Sequence, residues 1–466
     1  MSGPAAEPSS QAPEIVEGVR RLELPPELID DVANALERGD DPAVLLAVDG
    51  LHYADLADLL EILDAGKQRM LVEVLRRSFP VEILPELDEP VRNAVAEQLG
   101  TKDLAAAIVG LESDDALYII EGLEEAKRRQ VLHAIPAALR GQLEEALAFP
   151  EESAGRLMRR EVVAVPQYWT VGDCIDDMRE SDELPGDFYD IFVVDPKHRP
   201  VGWVPLDKLV RSKRPVKIGD IMEADMRPIS VDMDQEEVAF LFKQHDLVSA
   251  PVIDRAGRLV GTITIDDVVD VIEEEAGEDL MRLSGVSESG VHTPLGDIVR
   301  SRAAWLLVNL VTAFLASAVI GLFEDTLQKI VALAVLMPIT ASMGGNAGTQ
   351  TLAVAVRALA LRELTTANAL RILYREVIIG GINGIIFAII TGAVAVAWFD
   401  EWLIGACIAS AMIINLLAAG FAGLVIPVIL QRLNIDPAIA STVILTTVTD
   451  VIGFLSFLGL ATWLLL

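Results

Sequence analysis

One acidic residue, Asp450, lies in an otherwise uncharged apolar stretch near the end of the 466-residue chain. An ionised carboxylate near the middle of a membrane costs at least a few kcal/mol, so such residues usually face water, a counter-charge or a proton path. Threonines crowd the residues before it in TTVTD, and Thr446 is the first of them. A protonated aspartate that only holds helices together is the alternative, but this pattern favours an ion path.

A polar segment, PITASMGGNAGTQ at 338–350, interrupts another apolar run. Polar or helix-breaking sequence at membrane depth is tolerated where it packs against protein or lines water. Gly344, Gly345 and Gly348 permit the close approach of a helix or a hydrated ion, and Asn346 adds an amide oxygen. We predict a pore-lining or gate-contact segment in the inner half of its span, although close packing explains the glycines equally well.

An acidic run leads into the first apolar segment. Like charges three or four residues apart destabilise a helix unless something neutralises them, and hard divalent cations prefer oxygen ligands. Such runs are usually solvated helix faces, but the position of this one, directly before a membrane span, favours cation sensing. The run comprises Asp266, Asp267, Asp270, Glu273, Glu274, Glu275, Glu278 and Asp279.

Charge is distributed very unevenly along the chain. The formal net charge is −33, yet residues 301–466 carry only 8 acidic and 7 basic residues, leaving 62 acidic and 30 basic before them. An acidic surface of this kind argues against nucleic acid and anionic lipid headgroups as partners, because both need basic patches, and it suits cations. Two cysteines exclude a disulfide framework and fit a reducing compartment.

Five apolar runs are long enough to cross a bilayer. Arginines recur in the loops on one side of these runs, which places the acidic N-terminal part in the cytoplasm and the C-terminus outside. We therefore predict a multi-pass protein of the cell membrane. Asp436 lies at the cytoplasmic start of the last span, as a helix cap, a pore-mouth charge or both. The runs are 303–323, 329–356, 377–399, 402–430 and 438–466.

Two sequence repeats precede the membrane part. Copies that begin at Met158 and Met222 share a VxD…GxxxxD pattern at equal spacing and predict strands with an Asp-capped helix. They resemble a tandem pair of CBS domains, regulatory modules that often hold adenosine nucleotides, so ATP is an open option. The predicted divisions are a disordered tail (1–26), a helical N domain (27–150), CBS domains (151–215 and 216–272), an acidic connecting helix (273–300) and a transmembrane domain (301–466).

The order of these parts resembles the MgtE-type magnesium transporters. The motifs PEESAGRLM, GGNAGTQ, DPA and TTVTDVIG carry the resemblance. It implies a multidomain fold: an all-α superhelical N domain, an α/β tandem CBS pair, an acidic connecting helix and five membrane helices. It also implies a homodimer in the bilayer with no obligatory protein partner, and a pore between protomers lined by the second and fifth spans. Asp450 would select Mg2+, Asp436 would bind it at the cytoplasmic mouth, and Asn346 and Thr446 would add oxygens.

The resemblance further implies that Mg2+ is both cargo and regulator, and that ions bridging cytoplasmic carboxylates close the pore. Lys243 and Tyr118 depart from an all-acidic set and weaken particular sites. The matching sensor residues are Asp114, Asp234, Glu236, Asp246, Asp267, Asp270, Glu275, Glu278 and Asp279.

Other classes of protein remain as alternatives. A broader divalent-cation carrier or a proton-coupled carrier would use Asp450 as its ion or proton site. An intramembrane metalloprotease is disfavoured because all five histidines lie outside the predicted spans and no HExxH motif is present. A CBS-bearing chloride channel would need many more spans. We predict a transporter rather than an enzyme.

Overall fold

The computed structural model describes residues 24–181, 184–286, 293, 295–365, 367–433 and 435–466. The chain divides into two compact units. The first holds residues up to 235 together with 248–264, and the second holds 236–247 together with 265–466. Most of the predicted disordered tail, residues 1–23, lies outside the described residues, and a helix already begins at Pro26.

Short helices with leucine-rich inner faces form the first part of the first unit. Aspartates cap two of them, because Asp40 accepts from Ala43 N at 3.2 Å and Asp64 accepts from Gly66 N at 3.0 Å. Their buried faces share one apolar core, as the periodic leucines predict. The helices are α1 (Pro26–Arg38), α2 (Asp41–Val48), α3 (Tyr53–Ile62), α4 (Ala65–Leu75), α5 (Ile83–Glu86), α6 (Glu89–Gly110), α7 (Ser113–Gly122), α8 (Glu125–Ala134), α9 (Ala137–Ala146) and α10 (Ala154–Leu157), with a 3-10 turn at Arg76–Ser78.

Two small sheets of identical topology follow, which confirms the tandem CBS pair. In each sheet the middle strand pairs in parallel with the first strand and antiparallel with the third. The strands are β1 (Ala164–Pro166), β2 (Asp190–Val194), β3 (Pro200–Pro205), β4 (Ile229–Ser230), β5 (Ser249–Ile253) and β6 (Leu259–Thr264). The helices of this region are α11 (Val171–Glu180), α12 (Leu206–Arg211), α13 (Ile218–Ile221) and α14 (Gln235–His245).

The repeated aspartate and glycine have a structural cause. Asp195 and Asp254 each accept two backbone N–H groups in the turn between the last two strands of their sheet. A Cβ atom at Gly202 or Gly261 would lie within 2.7 Å of a backbone carbonyl of a neighbouring segment, so only glycine fits. The VxD…G spacing therefore encodes the turn and the close packing of the sheet.

Among the residues that the structure describes, five helices of the second unit are long and apolar enough to span a membrane, which confirms the predicted number. Among them α20 is the most buried and packs against α18, α19 and α21. The helices of this unit after α14 are α15 (Ile265–Leu283), α16 (Leu295–Gly321), α17 (Glu324–Lys329), α18 (Val331–Ala360), α19 (Ala369–Phe399), α20 (Trp402–Arg432) and α21 (Pro437–Leu465).

The acidic helix has different bounds from those expected. Helix α15 begins at Ile265, before the predicted start at 273, and ends at Leu283 rather than at 300. No glycine or proline breaks the sequence between the last β-strand and Ala276, so the final CBS helix and the acidic helix are continuous. The helix stops where Gly285 adopts the left-handed region, with φ 70°.

Candidate ion path and gate

Asp450 lies at the middle of α21 and is half-buried within the single chain. Thr446 donates to Thr442 O at 2.7 Å, and Thr449 donates to Leu445 O at 3.1 Å. Because the Thr446 hydroxyl proton points into the helix backbone, the lone pairs of this half-buried oxygen remain able to accept from ordered water, whereas Thr449 is fully buried. The helix therefore presents a carboxylate preceded by one hydroxyl acceptor, a surface that suits a hydrated cation.

The polar segment of α18 has two different faces. Gly344 and Gly348 are buried, and a Cβ at Gly348 would lie 2.9 Å from Leu445 of α21. Gly345 is half-buried, with space for a Cβ at 3.7 Å from Thr446. Asn346 is exposed and donates to Ser342 Oγ at 3.4 Å. The two buried glycines thus serve helix packing, and the amide faces away from the rest of the chain.

The end of the acidic helix meets the start of α21. Arg282 of α15 forms ion pairs with both Glu278 and Asp436. Thr442 Oγ1 donates to the Leu283 carbonyl at 3.0 Å, and Leu283 packs into an apolar cluster of α18, α20 and α21 that includes Leu445. Sequence reasoning identified the carboxylates but missed Arg282, although its i,i+4 spacing from Glu278 was a usable signal.

The carboxylates of α15 are crowded. Burial, followed by repulsion from Asp436 and Glu275, raises the pKa of Asp279 above the ordinary aspartate value. Loss of hydration, followed by repulsion from Asp267 and the other acids nearby, raises the pKa of Asp270. Both shifts arise first from burial and second from repulsion between neighbouring carboxylates, and a cation bound there would relieve the repulsion.

The other predicted sensor residues lie apart in the two units. In the first unit, Asp114 accepts from Arg159 Nε at 2.7 Å, and Asp234 is exposed beside an isolated bridge to Ser153. In the second unit, Glu236 and Asp246 are exposed on α14 and just after it. Among the residues that the structure describes, no three His, Cys, Asp or Glu side chains are grouped closely enough to hold a metal ion.

A further contact joins α14 to the loop after α18, and no local sequence pattern predicts it. Arg362, with φ 53°, pairs with Glu237 at 3.2 Å. Its guanidinium also lies over the ring of Phe240, 4.7 Å from the ring centroid. Both contacts lie in the second unit, so α14 is tied to the membrane-proximal loop by a charge pair and a cation–π contact.

The CBS pair also has a polar cleft in the first unit. Asp190 lies in it, accepts from Ser249 Oγ at 2.5 Å and is buried. Burial, followed by repulsion from Glu223 and Asp207, raises the pKa of Asp190. Arg159 also lines the cleft, with its guanidinium paired to Glu112 and Asp114.

A tandem CBS pair joined through an acidic helix to a set of membrane helices defines a multi-pass membrane protein with a CBS module. Comparisons with known families agree with this architecture. The profile of the MgtE family, described as a divalent cation transporter, matches residues 337–460. The profile of the MgtE intracellular N domain matches 51–152, and the CBS profile matches 154–214 and 218–274.

Magnesium transporter MgtE of Bacillus subtilis (strain 168) is 29% identical over 418 residues, covering 89% of this chain and 92% of the relative. Magnesium transporter MgtE of Enterococcus faecalis (strain ATCC 700802 / V583) is 30% identical over 321 residues, covering 69% and 71%. A crystal structure of the cytosolic domain of the Mg2+ channel MgtE in complex with ATP is 28% identical, covers 52% of this chain and 99% of its own, and has a TM-score of 0.49. The chain belongs to the MgtE family.

Proposed function

We propose that this chain is a Mg2+-selective channel or transporter that imports magnesium and closes when Mg2+ binds its acidic cytoplasmic residues. One observation carries the gating part: the acidic helix α15 ends in direct contact with α21, the helix of Asp450, through Arg282 and Leu283. A change in the charge state of α15 therefore acts on the helix that holds the candidate selectivity residue. Relatives named as magnesium transporters support the choice of ion.

The ion path forms between two copies of the chain. Asn346, Thr349 and Gln350 are exposed on α18, and polar groups at membrane depth need protein or water against them. A second copy packed on this face supplies both, with α18 and α21 lining the space between protomers. Two Asp450 carboxylates then attract one hydrated Mg2+, which dehydrates reluctantly and is held through its waters. Such loose binding allows release as well as entry.

Closure is a shift between two populations of the protein, one with α15 docked against α21 and one with α15 undocked. Without Mg2+, the carboxylates around Asp279 and Glu275 repel one another and destabilise the docked helix. With Mg2+ bound, the repulsion is relieved and the docked arrangement is favoured, because the ion binds that state more tightly. The raised pKa of Asp279 supports this account, since repulsion from Asp436 and Glu275 contributes to it after burial.

ATP is the nucleotide proposed for the CBS cleft. Asp190 brings a carboxylate that suits ribose hydroxyls, and Ser249 and Thr262 line the same cleft with hydroxyl groups. Isothermal titration of the purified protein with ATP measures this binding directly.

Asp190→Asn is expected to raise the free energy of unfolding at neutral pH. The folded state holds the Asp190 proton more tightly than the unfolded chain does, so ionisation at neutral pH opposes folding in the wild type. The neutral amide avoids that penalty. The advantage of the variant should shrink as the pH falls to values where the wild-type carboxyl is protonated in both states. Denaturant unfolding across a pH series measures it.

The matched control is Asp187→Asn, because Asp187 lies in the same cleft and is exposed. This control should change stability little at any pH. Equal pH dependence for the wild type and Asp190→Asn would contradict the assigned penalty.

Flux through the purified protein in proteoliposomes tests the proposed function. We expect Mg2+ entry when the cytoplasmic face sees little Mg2+, and its suppression when Mg2+ is added to that face. A divalent series with Mn2+, Co2+ and Ca2+ measures selectivity. Absence of Mg2+ flux contradicts the proposal, and flux that requires a proton gradient identifies the proton-coupled alternative.

A further inference from the structure

Asn415 lies at a junction of three membrane helices. It belongs to α20, is completely buried and donates from Nδ2 to the Thr340 carbonyl of α18 at 2.8 Å. On α21, a Cβ at Gly453 would lie 2.8 Å from the same Nδ2 atom. A Cβ at Gly344 of α18 would overlap the amide outright. The side chain therefore occupies a notch that exists only because two glycines face it from two other helices.

This junction is not arranged for stability alone. Among the described residues, neither Asn415 Oδ1 nor Thr340 Oγ1 has a hydrogen-bond partner, and both atoms are buried. Leaving buried polar atoms unpaired destabilises a fold, whereas an apolar residue of the same shape would fill the notch without that cost. A buried amide with one satisfied and one unsatisfied end is better explained by a requirement for a particular helix arrangement.

The helices that Asn415 joins are the two that carry the proposed ion path. Gly453 follows Asp450 by three residues on α21, and Gly344 precedes the exposed Asn346 by two residues on α18. The hydrogen bond to Thr340 fixes the depth of α18 against α20, and contact with Gly453 fixes the approach of α21 at the level of Asp450. The Asn415 amide therefore sets the distance between α18 and α21 where these helices line the proposed ion path, although Asn415 itself lies on α20, outside the path.

We propose that Asn415 is a positioning residue which holds α18 and α21 at the spacing that discriminates among divalent cations at Asp450. This inference rests on the proposed function, because it assumes that these two helices line the path. Asn415 does not contact the ion. Its effect is on the distance across which a hydrated ion is held, and cations of different size and hydration respond differently to that distance.

The test compares ion ratios and not activity alone. Asn415→Leu keeps the volume and loses the donor, and Gly344→Ala closes the notch while the amide is retained. Each variant is purified, checked for wild-type oligomeric size and reconstituted for flux of Mg2+, Mn2+ and Ca2+. We expect the ratio of Mg2+ to Ca2+ flux to fall about tenfold, which corresponds to about 1.4 kcal/mol of lost discrimination between the two ions. Asn383→Leu, an intramembrane amide of α19, serves as the matched control and should keep the wild-type ratio.

A purely structural role would lower the yield and the melting temperature of Asn415→Leu while leaving the flux ratios of the folded fraction at wild-type values, and that result overturns the inference. If Asn415→Leu does not fold, Gly344→Ala gives the same comparison. Failure of the proposed function is distinguishable, because it appears as absent Mg2+ flux in the wild type. The positioning role is then read from the ratios of whichever divalent ions the wild type moves.

Discussion

Asp450→Ala is expected to abolish Mg2+ uptake in cells that lack other magnesium importers. Asp450 is the acidic residue at the centre of α21, and the hydroxyl groups before it cannot replace its charge. A unit charge about 4 Å from a cation attracts it by about 4 kcal/mol at an effective dielectric constant near 20, so flux should fall at least about a hundredfold. Growth in low-magnesium medium and flux in proteoliposomes measure the loss.

Two further variants make this result specific. Asp450→Asn keeps the shape and loses the charge, so it should fail nearly as completely as alanine. Asp325→Ala removes an acidic residue from α17, outside the five spanning helices, and should transport normally. Full growth of cells that carry Asp450→Ala, at wild-type protein levels, would contradict the assignment of Asp450 to the ion path.

Arg282→Glu is expected to leave transport active at Mg2+ concentrations that close the wild type. Arg282 bridges Glu278 of its own helix and Asp436 at the start of α21. Charge reversal sets a third carboxylate against these two and opposes docking of α15. A partly buried, charge-assisted contact contributes about 1.5 kcal/mol, so the Mg2+ concentration for half closure should rise by about tenfold or more.

Proteoliposome flux at stepped Mg2+ concentrations on the cytoplasmic face measures this shift. The matched control is Arg432→Glu, which makes the same charge change at an exposed arginine ending α20. If Arg282→Glu and Arg432→Glu reach half closure at the same Mg2+ concentration, the change in net charge, and not the contact between Arg282 and Asp436, determines the Mg2+ sensitivity of closure. Closure of Arg282→Glu at lower Mg2+ than the wild type would contradict the role of the contact altogether.

Local patterns accounted for the architecture. The five spans follow from segment length and hydropathy, which a bilayer demands of any helix that crosses it. The CBS repeat followed from equal spacing, because Asp195 and Asp254 serve the same turn and Gly202 and Gly261 serve the same close approach. The bounds of the acidic helix were less accurate, since adjoining helical segments without a breaker merge into one.

For the candidate site, the sequence shows the charged residues but not the residues that they contact. Asp450 and the acidic run stand out in the sequence because isolated or crowded charges are costly where they lie, whatever the fold. Their partners do not stand out. Arg282 meets Asp436 across 154 positions, and Asn415 meets Thr340 across 75, and no local pattern specifies such a pairing.

The sequence by itself determined which segments are long and apolar enough to cross the membrane, and it predicted which residues carry the chemistry, because hydration cost and helix length are local properties. Only the tertiary structure decided that the buried glycines of α18 face α20 and α21 while Asn346 faces outward, and that the acidic helix ends on α21. Those outcomes depend on which helix faces meet, and side chains distant in the chain settle that question by packing against one another.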